Sequence, residues 1–430
     1  MLDQPFRLSE EFQETLDLLE NTNESVFLTG KAGTGKSTLL QLFRRTTQKK
    51  VVVLAPTGVA ALNVGGQTIH SFFGFAPRLL TENDLIKRKD LRLLRSLEVL
   101  VIDEISMVRA DLLDNIDFVL RHARRNESPF GQVQLLVVGD LFQLPPVVST
   151  AYEREYFQTT YESPYFFSAQ VFKTGFSLRV IELLRIYRQE ERRFINLLDS
   201  IRSGDIDEEL LSELNERVHM ASDQDSQHIV LTARNAVANA INQKALDQID
   251  AAPRIFTAKV SGQFNPSLFP TEAALKLKVG ARIILLKNDP ARRYVNGTIG
   301  TIVDFGDESI MVQITSAKGP EIISVGAQEW EVLKYTADKK TMELKTEVIG
   351  SFIQYPIRLA WAITIHKSQG KTFDEVLVDL QGGAFEHGQT YVALSRCRTL
   401  GGLQVRQPVK YRDILIDERI VDFYHNMNRY

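Results

Sequence analysis

The stretch SVFLTGKAGTGKSTLLQLF, residues 25–43, decides how the rest of the chain is read. Ser25 to Leu28 is an apolar run of strand size, and Gly30 to Ser37 (GKAGTGKS) matches G-x-x-x-x-G-K-[ST]. A helical pattern follows from Ser37 to Thr47. Strand, glycine-rich turn and helix form the arrangement that phosphate binding needs. Glycines let backbone N–H groups turn inward, and the helix N-terminus adds partial positive charge. Candidate nucleotide contacts are therefore Gly30, Ala32, Gly33, Thr34, Gly35, Lys36, Ser37 and Thr38. Lys36 is expected to reach the β- and γ-phosphates of ATP, and Ser37 to offer its hydroxyl to Mg²⁺.

Outward from this loop, further apolar runs stand at Val51–Leu54, Val99–Ile102 and Gln134–Val138. Helical patterns lie between them and ahead of them, at Ala110–Arg125 and Ser9–Leu19. Continuous apolar strands alternating with helices predict a parallel sheet covered on both faces. The run Val99–Ile102 ends in Asp103-Glu104. Asp103 is expected to hold the magnesium shell, and Glu104 to orient or deprotonate the attacking water. Gln143, in GDLFQLPPV (139–147), is a candidate sensor of the γ-phosphate.

The second half repeats this α/β style without another glycine-rich loop, through strand-like His228–Thr232 and Glu375–Asp379 and a helix at Asn235–Asp250. Helical periodicity fades between Val260 and Thr346, where short β-rich runs and an Asn296-Gly297 turn appear. The fold class is α/β, with a small antiparallel barrel inserted at 260–346. The expected domains are 1–178, 179–259 joined with 347–430, and the insertion.

The chain has 430 residues, and its 51 Lys+Arg against 54 Asp+Glu give a net charge of −3. That excludes a protein coating nucleic acid by bulk attraction and leaves room for a local basic track. The single cysteine, Cys397, fits a reducing compartment and rules out an intrachain disulfide. The apolar runs are far shorter than the roughly 20 residues of a membrane span. A cytoplasmic protein without a membrane partner is expected.

Five further segments make the pattern specific: VLAPTGVAA (53–61), GGQTIHSFFG (65–74), IYRQ (186–189), ITIHKSQGKTFD (363–374) and YVALSRCR (391–398). Together with the loops above, they resemble the ordered motifs of a superfamily-one helicase of the Pif (petite integration frequency) family. LLDNIDFVLRHARRNESPFGQVQ (112–134) resembles that family's signature, with Gln132 where a second glycine is usual. The resemblance implies two RecA-like domains with ATP between them and an SH3-like insertion. It implies arginine fingers at Arg188 and Arg396, a γ-phosphate contact at Gly370, and adenine reading by Gln13. DNA contacts are expected from Pro56, Thr57, Gly58, His70 and Phe72, with Phe73 beside it, and from Thr364, His366, Lys367 and Ser368. A wedge is expected near 64–80, and basic residues of the insertion (Lys276, Lys278, Arg282, Lys287, Arg292, Arg293) are expected to guide the strand.

The implied activity is ATP-driven 5′→3′ movement along single-stranded DNA by a monomer, with separation of duplex junctions ahead of it. G-quadruplexes and RNA–DNA hybrids are further candidate substrates. Two rivals stay open: a motor on RNA, and a nucleotide-regulated module that grips nucleic acid without moving.

Overall fold

A computed structural model describes residues 9–76, 78–80, 91–148, 150–218, 228–316, 319–338, 343–380 and 382–427. Six parallel strands form the first sheet: β1 (Val26–Gly30), β2 (Val51–Ala55), β3 (Gln67–Thr68), β4 (Val99–Ile102), β5 (Gln134–Val138) and β6 (Arg179–Leu183). Their order is β3-β2-β4-β5-β1-β6. β1 and β5 are buried at every residue, as all-apolar strands between two helical layers must be. The helix Glu10–Asn21 starts at Ser9, whose side chain accepts from the Phe12 N–H. Its Phe12, Leu16 and Leu19 pack on one sheet face with Leu39, Leu40 and Phe43 of the helix Lys36–Thr46.

The second sheet holds β7 (Ile229–Thr232), and a β-rich insertion follows it. The insertion comprises β8 (Arg254–Thr257), β9 (Lys259–Gly262), β10 (Ala274–Leu277), β11 (Arg282–Leu285), β12 (Ile299–Phe305), β13 (Ser309–Ser316), β14 (Gly319–Gly326), β15 (Gln328–Ala337), β16 (Leu344–Gln354) and β17 (Ile357–Leu359). The chain then returns through β18 (Ala362–Thr364), β19 (Val376–Asp379) and β20 (Leu403–Val405), and the parallel order is β18-β7-β19-β20. The insertion pairs throughout as antiparallel strands.

Three features differ from the expected boundaries. β6 pairs with β1, so the first sheet runs past residue 178. Antiparallel pairing begins at Arg254 and ends at Leu359, wider than 260–346, because β17 closes on β11. The helix Glu418–Met427 lies on the first domain's core. Phe423 stacks on Phe167 with centroids 4.3 Å apart, and the Tyr424 and Thr29 hydroxyls are hydrogen-bonded at 2.7 Å.

The hairpin β15–β16 also reaches the first domain. The Val53 N–H donates to the Tyr335 hydroxyl (3.2 Å), and the Tyr335 N–H donates to Gln67 Oε1 (3.2 Å). Among the described residues, no helix is long and apolar enough to cross a membrane.

Candidate ATP site and nucleic-acid face

The loop after β1 is built by backbone geometry. Gly30, Gly33 and Gly35 have φ of +140°, +85° and +92°, where side chains are strained. A Cβ on Gly30 would lie 2.6 Å from the Leu183 carbonyl, and one on Gly33 would lie 2.5 Å from Arg188 Cβ. The loop thus packs directly on the segment that carries one candidate arginine finger. The Tyr187 N–H also donates to the Gly33 carbonyl at 2.9 Å.

A cleft of about 640 Å³ opens here, lined by Ala32, Gly33, Thr34, Gly35, Lys36, Ser37 and Thr38. Asp103, Glu104 and Gln143 line it from the same sheet, and Arg188, Gly370 and Arg396 from the other side. Lys36 Nζ donates to the Gly30 and Lys31 carbonyls, and burial lowers its pKa against the pull of Asp140 and Glu104. Asp103 and Glu104 are adjacent enclosed carboxyls, and desolvation raises both pKa values. Glu104 stands at φ +51°, ψ +46°, a left-handed conformation unusual for a non-glycine residue.

Arg396 is 1% exposed. Among the described residues its guanidinium donates to the Val392 and Lys371 carbonyls and the Ser395 hydroxyl, all uncharged. Burial, with Arg188 close by, lowers its pKa to about 9. Burial also lowers that of Arg188, which donates to the Ser395 carbonyl at 3.3 Å. Two enclosed cations facing one cleft form a receptor for a multiply charged anion. Gly370 has φ +74° and open space where a Cβ would stand.

Ser37 and Asp103 suit Mg²⁺, since both offer hard oxygen donors and the buried carboxyl gains from a cation beside it. Among the described residues, no group of three or more His, Cys, Asp or Glu side chains could hold a metal alone. The ion would therefore take its remaining ligands from phosphate and water.

Gln13 is not in the cleft. It is exposed, and its amide donates to Asp17 at 2.9 Å, because Phe12 takes the inward position of that helix. Ser9, Phe12, Arg185 and Tyr187 line the cleft instead, with the Arg185 guanidinium 5.0 Å from the Tyr187 ring centroid. Sequence reasoning also missed Asp140, Arg202 and Tyr391. Arg202 and Asp140 are ion-paired at 3.1 Å, and Tyr391 accepts from the Ala32 N–H at 3.0 Å. Asp140 and Tyr391 lay in motifs already singled out, and Arg202 lay in none.

The nucleic-acid face is more mixed. Thr57 caps the helix Gly58–Val64 by accepting from the Ala60 N–H, and Pro56, Thr57 and Gly58 are half-buried. Leu268 of the insertion crowds Gly58, where a Cβ would lie 2.1 Å from its Cδ2. His70 is half-buried, but Phe72 and Phe73 are 3% and 4% exposed. Phe72 packs edge-on against Tyr335 at 5.9 Å, so neither ring offers a face to a base. Residues 67–73 form β3 and a short packed helix within the expected wedge, and Pro77 lies outside the described residues.

Thr364 and Ser368 are buried as well. Thr364 caps the turn at Lys367, and Ser368 donates to the Ile365 carbonyl at 2.7 Å. His366, 4.0 Å from Glu386, and Lys367 carry the accessible chemistry there. Several basic residues of the insertion are engaged internally: Lys278 with the Ile249 carbonyl, Arg282 with that of His228, Lys287 over Trp330, and Arg293 with Asp289.

The signature segment is structural here. Asp117 accepts from the Phe130 N–H at 2.6 Å, and Arg124 donates to the carbonyls of Leu94, Arg95, Leu97 and Gly131. Gln132 sits at φ +62°, which explains why glycine is usual at this position.

The family model described as PIF1-like helicase matches residues 8–211, and the one described as DNA helicase Pif1, 2B domain, matches residues 264–305. The ATP-dependent DNA helicase Pif1 of Bdellovibrio bacteriovorus is 34% identical, over 97% of this chain and 91% of that protein. The chain belongs to the Pif1-like helicase family. The chain spans 62% of the zebrafish and human family members.

Among solved structures, Bacteroides sp. Pif1 with ADP-AlF4 superposes with a TM-score of 0.91 at 38% identity, covering 99% of this chain and 98% of that one. The same Bacteroides protein bound to single-stranded DNA superposes at 0.70, covering 98% and 97%. The unliganded Bacteroides protein superposes at 0.90. The fold is that of the family, two parallel α/β sheets flanking one nucleotide cleft.

Proposed function

We propose that this chain is an ATP-dependent DNA helicase that moves 5′→3′ along single-stranded DNA and separates duplex ahead of it. The convergence of Lys36, Asp103, Glu104 and Gln143 from one domain with Arg188, Gly370 and Arg396 from the other supports this most strongly. ATP lies with its phosphates in the Gly30–Thr38 loop and its base between Phe12 and Tyr187. Lys36 holds the β- and γ-phosphates, while Ser37 and Asp103 would hold Mg²⁺, which when bound would supply charge screening to the phosphates.

Glu104 orients a water in line with the γ-phosphorus and accepts its proton as the bond to the β–γ bridging oxygen breaks. ADP and phosphate result. Arg188 and Arg396 stabilise the charge on the transferring group. A buried arginine whose hydrogen-bond partners, among the described residues, are all uncharged gains most when that charge develops, so closure and hydrolysis favour each other. Release of phosphate leaves the two cations facing each other again and favours opening. Alternation shifts the Thr57 turn and the His366–Lys367 turn relative to one another along the strand.

Duplex, forked or structured DNA is the substrate class, with G-quadruplexes and RNA–DNA hybrids as further candidates. The working form is a monomer in the cytoplasm. The domain division is functional: residues up to β6 with the terminal helix form one moving body, and the remaining α/β sheet with its SH3-like insertion forms the other.

Hydrolysis rates with single-stranded DNA, single-stranded RNA or neither test the reading. DNA should stimulate most, and Lys36→Ala and Glu104→Gln should abolish stimulation while binding of a labelled strand persists. Stimulation by RNA alone would support a motor on RNA, and strand binding regulated by ATP without hydrolysis would support a passive module.

A further inference from the structure

Two ion pairs of opposite polarity cross from the first domain to one helix of the second, and no motif predicts either. The helix Arg192–Ser203 buries Phe194, Leu197, Leu198 and Ile201, and packs against the helix Gln389–Leu394 that leads to Arg396. On the side facing the first domain it carries Asp199 and Arg202, which are neighbours at i, i+3.

Asp199 Oδ2 lies 2.6 Å from Nζ of Lys31, inside the phosphate loop. Arg202 lies 3.1 Å from Asp140 Oδ1, and this pair is enclosed, with side-chain exposures of 12% and 0%. Asp140 in turn accepts from the Phe142 N–H (3.2 Å) and from Gln143 Nε2 (3.4 Å). The Arg202 guanidinium also stands 4.1 Å from the Phe142 ring centroid. One helix thus grips two of the first-domain loops that line the ATP cleft, the phosphate loop and the loop of Asp140 and Gln143.

The charge order matters. The first domain presents a cation at Lys31 and an anion at Asp140, and the helix presents the reverse. Sliding the helix by one turn would bring like charges together, so the pairs admit a single register. Resting on the ATP-motor reading above, we propose that Asp199 and Arg202 are positioning residues. They tie movement of the second domain to the Lys31 end of the phosphate loop and, through Asp140, to the placement of Gln143. They touch neither substrate nor the reacting atoms.

The test is DNA-stimulated hydrolysis and strand separation by the full chain, with kcat and the KM for ATP determined separately. Wild type must first show DNA-stimulated hydrolysis; if it does not, the motor reading fails, independently of this proposal. Given that activity, Arg202→Gln should lower kcat at least tenfold with KM for ATP changed less than threefold, and Arg202→Lys should recover part of the loss. Asp199→Asn, at a pair about one-third exposed, should lower kcat about threefold.

Lys31→Asp and Asp199→Lys should each lower kcat, and the double exchange should return it to within about twofold of wild type. Thermal unfolding identifies any Arg202 variant that does not fold, and the exposed Lys31–Asp199 pair then decides the matter. Unchanged kcat in Asp199→Asn and in any folded Arg202 variant overturns the proposal. So does a loss confined to KM, or an exchange that fails to restore kcat.

Discussion

Replacing Gly33 by alanine probes the contact between the phosphate loop and the arginine that faces it. The new Cβ would sit 2.5 Å from Arg188 Cβ and 3.3 Å from its backbone nitrogen. Carbon atoms pack at about 3.5–4.0 Å, so one segment must retreat by about 1 Å. The loop residue also has φ +85°, which costs an alanine roughly 1–2 kcal/mol. A displacement of about 1 Å in a group that acts on the transition state lowers the rate by about 10²-fold. That corresponds to about 2.7 kcal/mol of barrier.

The assay is a double-mutant cycle on DNA-stimulated kcat, using wild type, Gly33→Ala, Arg188→Ala and the double variant. Arg188→Ala keeps the Cβ and hence the clash, but it has no guanidinium left to misplace. Gly33→Ala should therefore cost about 10²-fold in the wild-type background and only a few-fold in the Arg188→Ala background, a strongly non-additive result. Equal losses in both backgrounds would show that the damage lies in the phosphate loop alone, and the reasoning about Arg188 would be refuted.

Three further outcomes follow from other contacts. Gln132→Gly should stabilise the protein by about 0.5–1 kcal/mol in urea unfolding, since relief of left-handed strain exceeds the added chain entropy of glycine; a lower midpoint would contradict this. Tyr335→Phe removes the acceptor of the buried Val53 N–H, so it should weaken hairpin docking by about 1–3 kcal/mol and raise single-strand affinity in fluorescence anisotropy; unchanged affinity would show that docking does not compete with DNA. Lys371 donates to Asn296 Oδ1 at 2.6 Å, and burial followed by repulsion from Arg358 lowers its pKa to about 8. The unfolded chain holds that proton more tightly, so this residue's contribution to stability should rise with pH from about 8 to about 10. The wild-type minus Lys371→Met difference in urea midpoint should show that slope, and a flat difference would contradict it.

The phosphate loop was legible because its chemistry fixes local spacing: Gly30, Gly33 and Gly35 must adopt positive φ within eight residues, whatever surrounds them. Asp103 and Glu104 were legible for a similar reason, since an acidic pair closing an apolar strand marks the sheet edge where ligands bind. Gln13 and Phe12 differ by one helical position, and only packing determines which of them faces inward. Phe72 and Ser368 lie in motifs expected at the nucleic-acid face, yet their side chains are buried. Motif position could not separate those two roles. Asp140 and Arg202 are 62 residues apart and meet only in the folded chain, and Arg202 sits in a helix with no motif around it. The breadth of the insertion and the return of the last helix to the first domain likewise depend on long-range pairing, on Ile357 against Leu285 and Phe423 against Phe167.

The central claim is that closure of this cleft drives directional movement along one DNA strand. Matched duplexes carrying either a 5′ or a 3′ single-stranded tail, with ATP and Mg²⁺, test it most directly. Separation of the 5′-tailed duplex, lost in Glu104→Gln, is the predicted result. Separation of only the 3′-tailed duplex, or equal separation in Glu104→Gln, would contradict it.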